Sequence, residues 1–250
     1  MDAVSALPVR HVPAVRPGDP LARILLEGVS ASGLRVEDGD VIAVCQKVVS
    51  KAEGRIVDLA AVVPSPRARR FAEEHGKDPR MIEVVLRESR RIVRMERGLI
   101  ISETPTGLVC ANAGVDRSNA LRPDHVTLLP LDPDASARRL HEEIGSLSGR
   151  RTGLVITDTF GRPWREGLVD VAIGVAGLRP LIDLRGRTDL AGRPLEVTVL
   201  AFADQVAALA GMVMEKGKGI PTAIVRGVGE WLGPGTAAEL VRPADRDLFR

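Results

Sequence analysis

Two polar, glycine-punctuated stretches carry the residue types that can do chemistry in this chain: Ala111–Asn119 (ANAGVDRSN) and Val155–Gly167 (VITDTFGRPWREG). Each supplies one aspartate, Asp116 in the first and Asp158 in the second, and Thr159 follows Asp158 at once. Arg117, Arg162 and Arg165 stand beside them in sequence. Carboxylate and hydroxyl oxygens are hard ligands suited to Mg²⁺ or Mn²⁺, and guanidinium forks hold phosphate charge. The combination points to phosphate chemistry around a divalent ion. One aspartate beside glycine more often just closes a turn, so the case needs both stretches together.

Other chemistries find less support. No GxxxxGK[ST] occurs, so the chain is not a P-loop protein, and no GxGxxG follows a strand, so a Rossmann dinucleotide site is unsupported. A haloacid-dehalogenase-type phosphatase needs a second carboxylate two residues after Asp158, where Phe160 stands. The four histidines (His11, His75, His125, His141) are scattered and pair with no candidate nucleophile, so they read as structural or surface residues. Cys45 and Cys110 each end an apolar run without metal-ligand spacing, as reduced thiols of a cytosolic protein do.

Composition narrows the class. At 250 residues, 44% apolar and 27% charged, the chain is globular. A net charge of +2 and the absence of tyrosine argue against a nucleic-acid surface. The N-terminus has neither a basic start nor a long apolar stretch, and no run reaches the ~20 apolar residues of a membrane span. The expectation is a soluble cytoplasmic protein with no nucleic-acid or membrane partner.

The elements that must position the aspartates follow from local signals. Asp19-Pro20 predicts a helix start, with Asp19 as cap and the helix running to about Val29. Val41–Cys45 reads as a buried strand after the turn Asp38-Gly39-Asp40, and Lys47–Ala52 opens a helix or tight loop that ends near Gly54. Asp78-Pro79 starts a helix burying Ile82, Val85, Leu86 and Ser89. Leu99–Ser102 and Leu108–Ala111 form a strand pair around Thr104–Gly107. Asp132-Pro133 caps a helix with Ala137, Leu140, Ile144 and Leu147 on its core face. Gly153–Thr157 is a short strand that delivers Asp158 to its end. Leu195–Phe202 is β-rich, Ala207–Met214 helix-prone, and Thr222–Val225 a further strand. The mixture lacks a strict βαβ rhythm and predicts a mixed α/β (α+β) fold. The tail after Gly227 is expected to be loosely held.

The motifs GVDRSN, TDTFGRPWREG, VDVAIGVAGLRPLIDLRGR, VVSKAEGR and VRPGDPL resemble the coenzyme F-420:L-glutamate ligase family, from about Val12 to about Gly227. The resemblance implies one ligase domain over residues 1–250, with two sub-lobes as an option; the C-terminal nitroreductase-like domain that some bacterial members carry is not expected within these residues. It implies a homodimer, with coenzyme F-420-0 and L-glutamate as substrates, GTP as co-substrate, Mg²⁺ or Mn²⁺, and K⁺ as a further candidate ion. By the same resemblance Asp116 and Asp158 hold one divalent ion and Thr159 a second. The nucleotide residues become Val12, Pro13, Ala14 and Val15, then Gln46, Lys47 and Lys51, then Asn119, and finally Met214, Glu215, Lys216, Gly217, Lys218, Gly219 and Ile220. Asn119 otherwise closes an Asx turn, and Lys51 is otherwise a solvated lysine. Arg162, Arg165 and Arg185 are candidates for phosphate or substrate carboxylates. Phe160 and Trp164 either stack on a ring or anchor their loop.

The chain departs from the family pattern in three places. Val12-Pro13-Ala14-Val15 lacks the glutamate of the family's Leu-Pro-Glu segment, which matters little where backbone makes the contacts. Gln46-Lys47 replaces Ser-Thr or Ser-Lys. In the MEKGKGI loop, Glu215 replaces a glycine, and Lys216 stands where many members have a metal-binding glutamine. An ammonium has no lone pair and cannot ligate an ion, though it can lend its own charge to phosphate. These departures keep two rivals open: a related amide ligase with another acceptor, and a nucleotide-binding homologue without catalysis.

Overall fold

The strand Val41–Cys45 is apolar along its length because both its faces are covered, as befits a central strand. The computed structural model describes residues 3–118, 120 and 122–248, and of Lys216 the backbone alone. In chain order the elements are β1 (Ser5–Val9), α1 (Leu21–Ala31), β2 (Val41–Cys45), α2 (Gln46–Ala52), β3 (Ile56–Asp58), α3 (Pro66–His75) and α4 (Pro79–Arg87). There follow β4 (Arg91–Glu96), β5 (Leu99–Glu103), β6 (Val109–Ala111), β7 (His125–Thr127), α5 (Pro133–Ser148), β8 (Gly153–Arg162) and β9 (Arg165–Ala176). The last are β10 (Leu181–Asp183), β11 (Val199–Ala201), α6 (Phe202–Gly211) and β12 (Thr222–Arg226).

A five-stranded sheet, order β1-β12-β2-β8-β9, forms the centre. β2 and β8 run parallel, and the other neighbours antiparallel. Alternation sorts the side chains. Ile42, Val44, Leu154, Ile156 and Ile224 share a core with α1, α2 and α5. Val41, Ala43, Val155, Ala223 and Val225 share one with α6 and the C-terminal segment. A third core joins Leu59, Phe71, Ile82, Val85, Ile100 and Val126, beneath α3, α4 and the small sheets β4-β5-β6 and β3-β7. Each such Val, Leu, Ile or Phe side chain contributes about 1.5–3 kcal/mol by burial, whereas solvent screens an exposed ion pair such as Arg150–Asp38, so the apolar layers decide the fold. The mixed α/β (α+β) class expected from the sequence is the one observed. No helix among the described residues is long and apolar enough to cross a membrane.

Several local expectations change. The strand at Gly153 continues to Arg162 and pairs with β9, because Thr157, Thr159 and Phe160 suit a pleat and the chain turns only at Pro163-Trp164. Asp19 does not cap α1: its carboxylate accepts from Arg16 N–H at 2.7 Å, and Pro20 holds the cap position without a side-chain bond. Leu147 is 53% exposed in the last turn of α5, and Ser89, just past α4, is half-buried. Helix α6 starts at Phe202, earlier than its apolar run suggests, and ends at Gly211. The tail is held firmly: Trp231 packs on Phe202 at 5.6 Å, a Thr236–Glu239 capping box orders the next turn, and Ala237 is buried.

Asp78 does cap α4, accepting from Arg80 N–H at 2.9 Å, and it also pairs with the Arg80 and Arg117 guanidiniums. The Arg80 side chain above all, with its backbone N–H and Arg117, holds the Asp78 carboxyl well below its usual range, against the opposing effect of burial. Asp78→Ala is expected to cost about 1 kcal/mol at pH 7, the scale of a lost helix cap. Because the folded-state pKa is depressed, this stability is present above the unfolded value of about 4 and fades as pH falls below it. Urea unfolding at pH 7 and at pH 3 checks the prediction: the gap between wild type and variant narrows at the lower pH.

Candidate functional site

The carboxyl ends of the parallel pair meet where Cys45 of β2 lies opposite Thr157 of β8. Loops diverge at such ends and leave room for a ligand. β2 passes directly into α2, so Lys47 and Lys51, four residues apart, share one helix face beside the opening. Both line a cavity of about 290 Å³. Its other walls are the 12–15 loop (Val12, Pro13, Ala14, Val15), Thr157, Thr159 and Asp170, with Met214, Gly219 and Ile220 across from them.

Lys51 is half-buried in this cavity. Burial first, then the charge of Lys47, press its ammonium below the ordinary lysine pKa. No carboxylate among the described residues pairs with it. An anion entering the cavity therefore meets a cation that no carboxylate among the described residues already holds in an ion pair.

The loop after α6 makes a single turn, Lys216–Lys218, and returns through Gly219 at φ +66°, a left-handed conformation that favours glycine. Glu215 has φ −108°, which any residue adopts, so the glutamate is accommodated without strain. Its carboxylate pairs with Lys218 at 2.8 Å. Glu215, Gly217 and Lys218 are exposed and do not line the cavity. Gln46 is fully buried at the start of α2: Ser50 Oγ donates to its Oε1 at 2.8 Å, and it too lies behind the cavity wall. Asn119 lies outside the described residues.

Thr159 also lines a second, larger cleft of about 1080 Å³. The walls of this cleft are mostly apolar (Leu99, Ile101, Val109, Phe160, Trp164 and Leu168), with Asp116, Asp158, Arg94 and Arg162 among its polar groups. Trp164 sits at the β8–β9 turn with φ +58°, a strained conformation for an aromatic residue that costs of order 1–3 kcal/mol. Arg162 donates to Glu166 O at 2.9 Å. Arg165 is exposed and lines neither cavity, and Arg185 is engaged by Asp183 at 2.6 Å. Cys110, on the same cleft, is pushed up to about 12, first by burial and then by the charge of Asp158, against a Gly114 N–H bond. It is a neutral thiol at physiological pH, unsuited to nucleophilic work.

Asp116 is tied to Lys47, whose side chain is only 5% exposed: Nζ lies 2.6 Å from Oδ2. Lys47 also donates to Ser118 Oγ. Ser118 N–H donates to Asp116 Oδ1 at 2.6 Å, and its hydroxyl donates to Oδ2 at 3.0 Å. Burial would raise the Asp116 pKa, but Lys47 and the Ser118 donors outweigh it and hold the carboxyl below its ordinary range.

A divalent ion, as the sequence implies, fits this donor set. Asp116 already carries a cation in the Lys47 ammonium, and Asp158 and Thr159 open on the same cleft. Among the described residues no group of three or more His, Cys, Asp or Glu converges on one point. The remaining ligands would have to be hydroxyl, water or phosphate oxygens, which is the habit of Mg²⁺.

One residue with a clear place in the site goes unnoticed in the sequence. Thr159 Oγ1 donates to Asp170 Oδ1 at 2.6 Å, across the β8–β9 ladder. The bond commits the threonine proton and leaves the oxygen's lone pairs for an electropositive partner. Gly211 permits it: a Cβ there would stand 2.3 Å from Asp170 Oδ2. The available signal was the hairpin itself, but a bulge between Gly161 and Arg162 shifts the register and hides the Thr159–Asp170 pairing from simple counting. Asp170→Asn is expected to lower turnover by roughly tenfold with little change in melting temperature, since it weakens one positioning hydrogen bond. Steady-state rates beside a thermal melt check this.

The fold and the site together define an α+β protein with a cation-lined pocket at the end of a parallel strand pair, sharing Thr159 with an apolar cleft that carries two carboxylates. Comparison with known proteins makes this specific. The F420-0:Gamma-glutamyl ligase family model matches residues 10–227. Proteins named Coenzyme F420:L-glutamate ligase are similar along the whole chain. That of Methanopyrus kandleri is 46% identical, covering 100% of both chains, and that of Methanothermobacter thermautotrophicus 43%, covering 99% of both. That of Archaeoglobus fulgidus is 42% identical over 99% of this chain and 96% of its own. This chain belongs to the F420-0:gamma-glutamyl ligase family.

Proposed function

We propose that this protein is a GTP-dependent ligase that joins L-glutamate to coenzyme F-420-0 and extends the tail through γ-linked amide bonds. The observation that carries the nucleotide half is Lys51, an ammonium half-buried in the pocket and ion-paired with no carboxylate among the described residues. The pocket fits the phosphate end of a nucleotide, and the larger cleft, apolar with Arg94 and Arg162, fits a flat ring with an anionic tail. Thr159 belongs to both, so the two substrates meet at the carboxylate-bearing end of the cleft.

On this reading the reaction runs in two steps. A carboxylate oxygen of F-420-0 attacks the γ-phosphorus of GTP, the bond to the β-phosphate oxygen breaks, and GDP leaves an acyl phosphate behind. The α-amine of glutamate then attacks the acyl carbon, phosphate departs with the bonding pair, and the amide nitrogen gives up a proton. Both substrates of the first step are anions, so neutralising charge and aligning the attack are the protein's chief tasks. Lys51 and Lys47 supply fixed positive charge, and Asp170 orients Thr159. Mg²⁺ or Mn²⁺ held by Asp116, Asp158 and Thr159 would screen the transferring phosphoryl group. Mass spectrometry of a mixture of protein, GTP, F-420-0 and glutamate is expected to give glutamylated F-420 together with GDP, dependent on all three small molecules. GDP without glutamylated product would point to another acceptor, and neither product would leave a binding protein.

A further inference from the structure

We infer that Lys47 is a built-in counter-cation for Asp116 that a divalent ion displaces, and that its release couples metal binding to nucleotide binding. Lys47 links the two cavities through Asp116. It lines the smaller pocket, yet its ammonium rests on Asp116, which lines the larger cleft. The two residues are 69 positions apart and come from different elements, so the pair is a tertiary device rather than a local ion pair. The lysine side chain is almost fully buried and the aspartate about one-third exposed. A buried ammonium needs an anion at every stage. With no ion bound, Asp116 and Ser118 provide the partners. An ion on Asp116 weakens that carboxylate's hold on the ammonium, because two cations on one carboxylate repel. Lys47 must then find another anion, and the pocket it already lines is where phosphate would enter.

Two consequences follow. Metal alone competes against Lys47 and binds weakly, and nucleotide alone meets a lysine already committed to Asp116. Together each frees the site for the other. The inference rests on Asp116 being a metal ligand, and the test separates the two ideas.

Mn²⁺ binding is followed by electron paramagnetic resonance, without nucleotide, on wild type and Lys47→Met. Removing the competing charge should tighten Mn²⁺ binding by about tenfold or more. In chelator-treated samples, calorimetry with GDP on Asp116→Asn should show several-fold tighter nucleotide binding than wild type, because Lys47 is released to the phosphates. A role confined to holding the fold would not raise either affinity. This second variant keeps the amide contacts to Ser118 and leaves the idea testable if Lys47→Met fails to fold. Equal Mn²⁺ affinity in wild type and Lys47→Met, or metal-free GDP affinity that is unchanged or weaker in Asp116→Asn, overturns the coupling while the metal site stands. Mn²⁺ binding that survives intact in Asp116→Asn overturns the metal assignment and the coupling with it.

Discussion

Asp158→Asn is expected to lower turnover by ~10²-fold or more at saturating Mg²⁺ or Mn²⁺, with the melting temperature nearly unchanged. The substitution is isosteric and removes one negative charge. Asp158 stands in β8 beyond the buried segment Leu154–Thr157 and opens on the larger cleft, outside the strand's apolar packing. What depends on its charge is the attraction for a divalent ion beside Asp116 and Thr159. The same substitution relieves Cys110 of a nearby negative charge, so the thiol pKa should fall from its raised value. Steady-state rates, a metal titration and a thermal melt check the set. Turnover retained in the variant at high metal would remove Asp158 from the metal site.

Lys51→Met is the second large effect. Methionine keeps the length and the apolar stem, so the α2 face stays packed while the charge is lost. GTP and GDP binding should weaken by ~1–3 kcal/mol, the scale of a charge-assisted hydrogen bond partly shielded from water. The effect should fall on nucleotide affinity, with the KM for F-420-0 changing little, because Lys51 lines the smaller pocket and not the larger cleft. Calorimetry with GDP checks it, and unchanged affinity would make Lys51 a solvated lysine.

The site was partly legible in sequence for identifiable physical reasons. Asp158 and Thr159 announce themselves because a β-rich apolar run delivers a charged residue to solvent, a local pattern. Lys47 and Lys51 are marked by resemblance, and the helix Gln46–Ala52 puts them on one face at a spacing of four. The caps Asp78-Pro79 and Asp132-Pro133 set two helix starts that the structure keeps. The 12–15 segment, by contrast, is four ordinary residues, and nothing but resemblance marks it as a pocket wall. Asp170 escaped because a bulge sets its register against Thr159. The Lys47–Asp116 pair escaped because no local rule links positions so distant. The tail misled because glycine and proline at Gly233-Pro234-Gly235 read as slack. Here they fit a close approach instead: a Cβ at Gly235 would meet Pro180 Cδ at 2.3 Å.

The central claim, an acyl phosphate formed on the acceptor carboxylate, has a direct test. F-420-0 carrying heavy-isotope oxygen in its carboxylate is mixed with GTP, glutamate, metal and protein, and the inorganic phosphate released is analysed by mass spectrometry. Activation by phosphoryl transfer predicts one heavy oxygen in each phosphate, in step with the amide formed. Unlabelled phosphate accompanying glutamylated product would contradict the account.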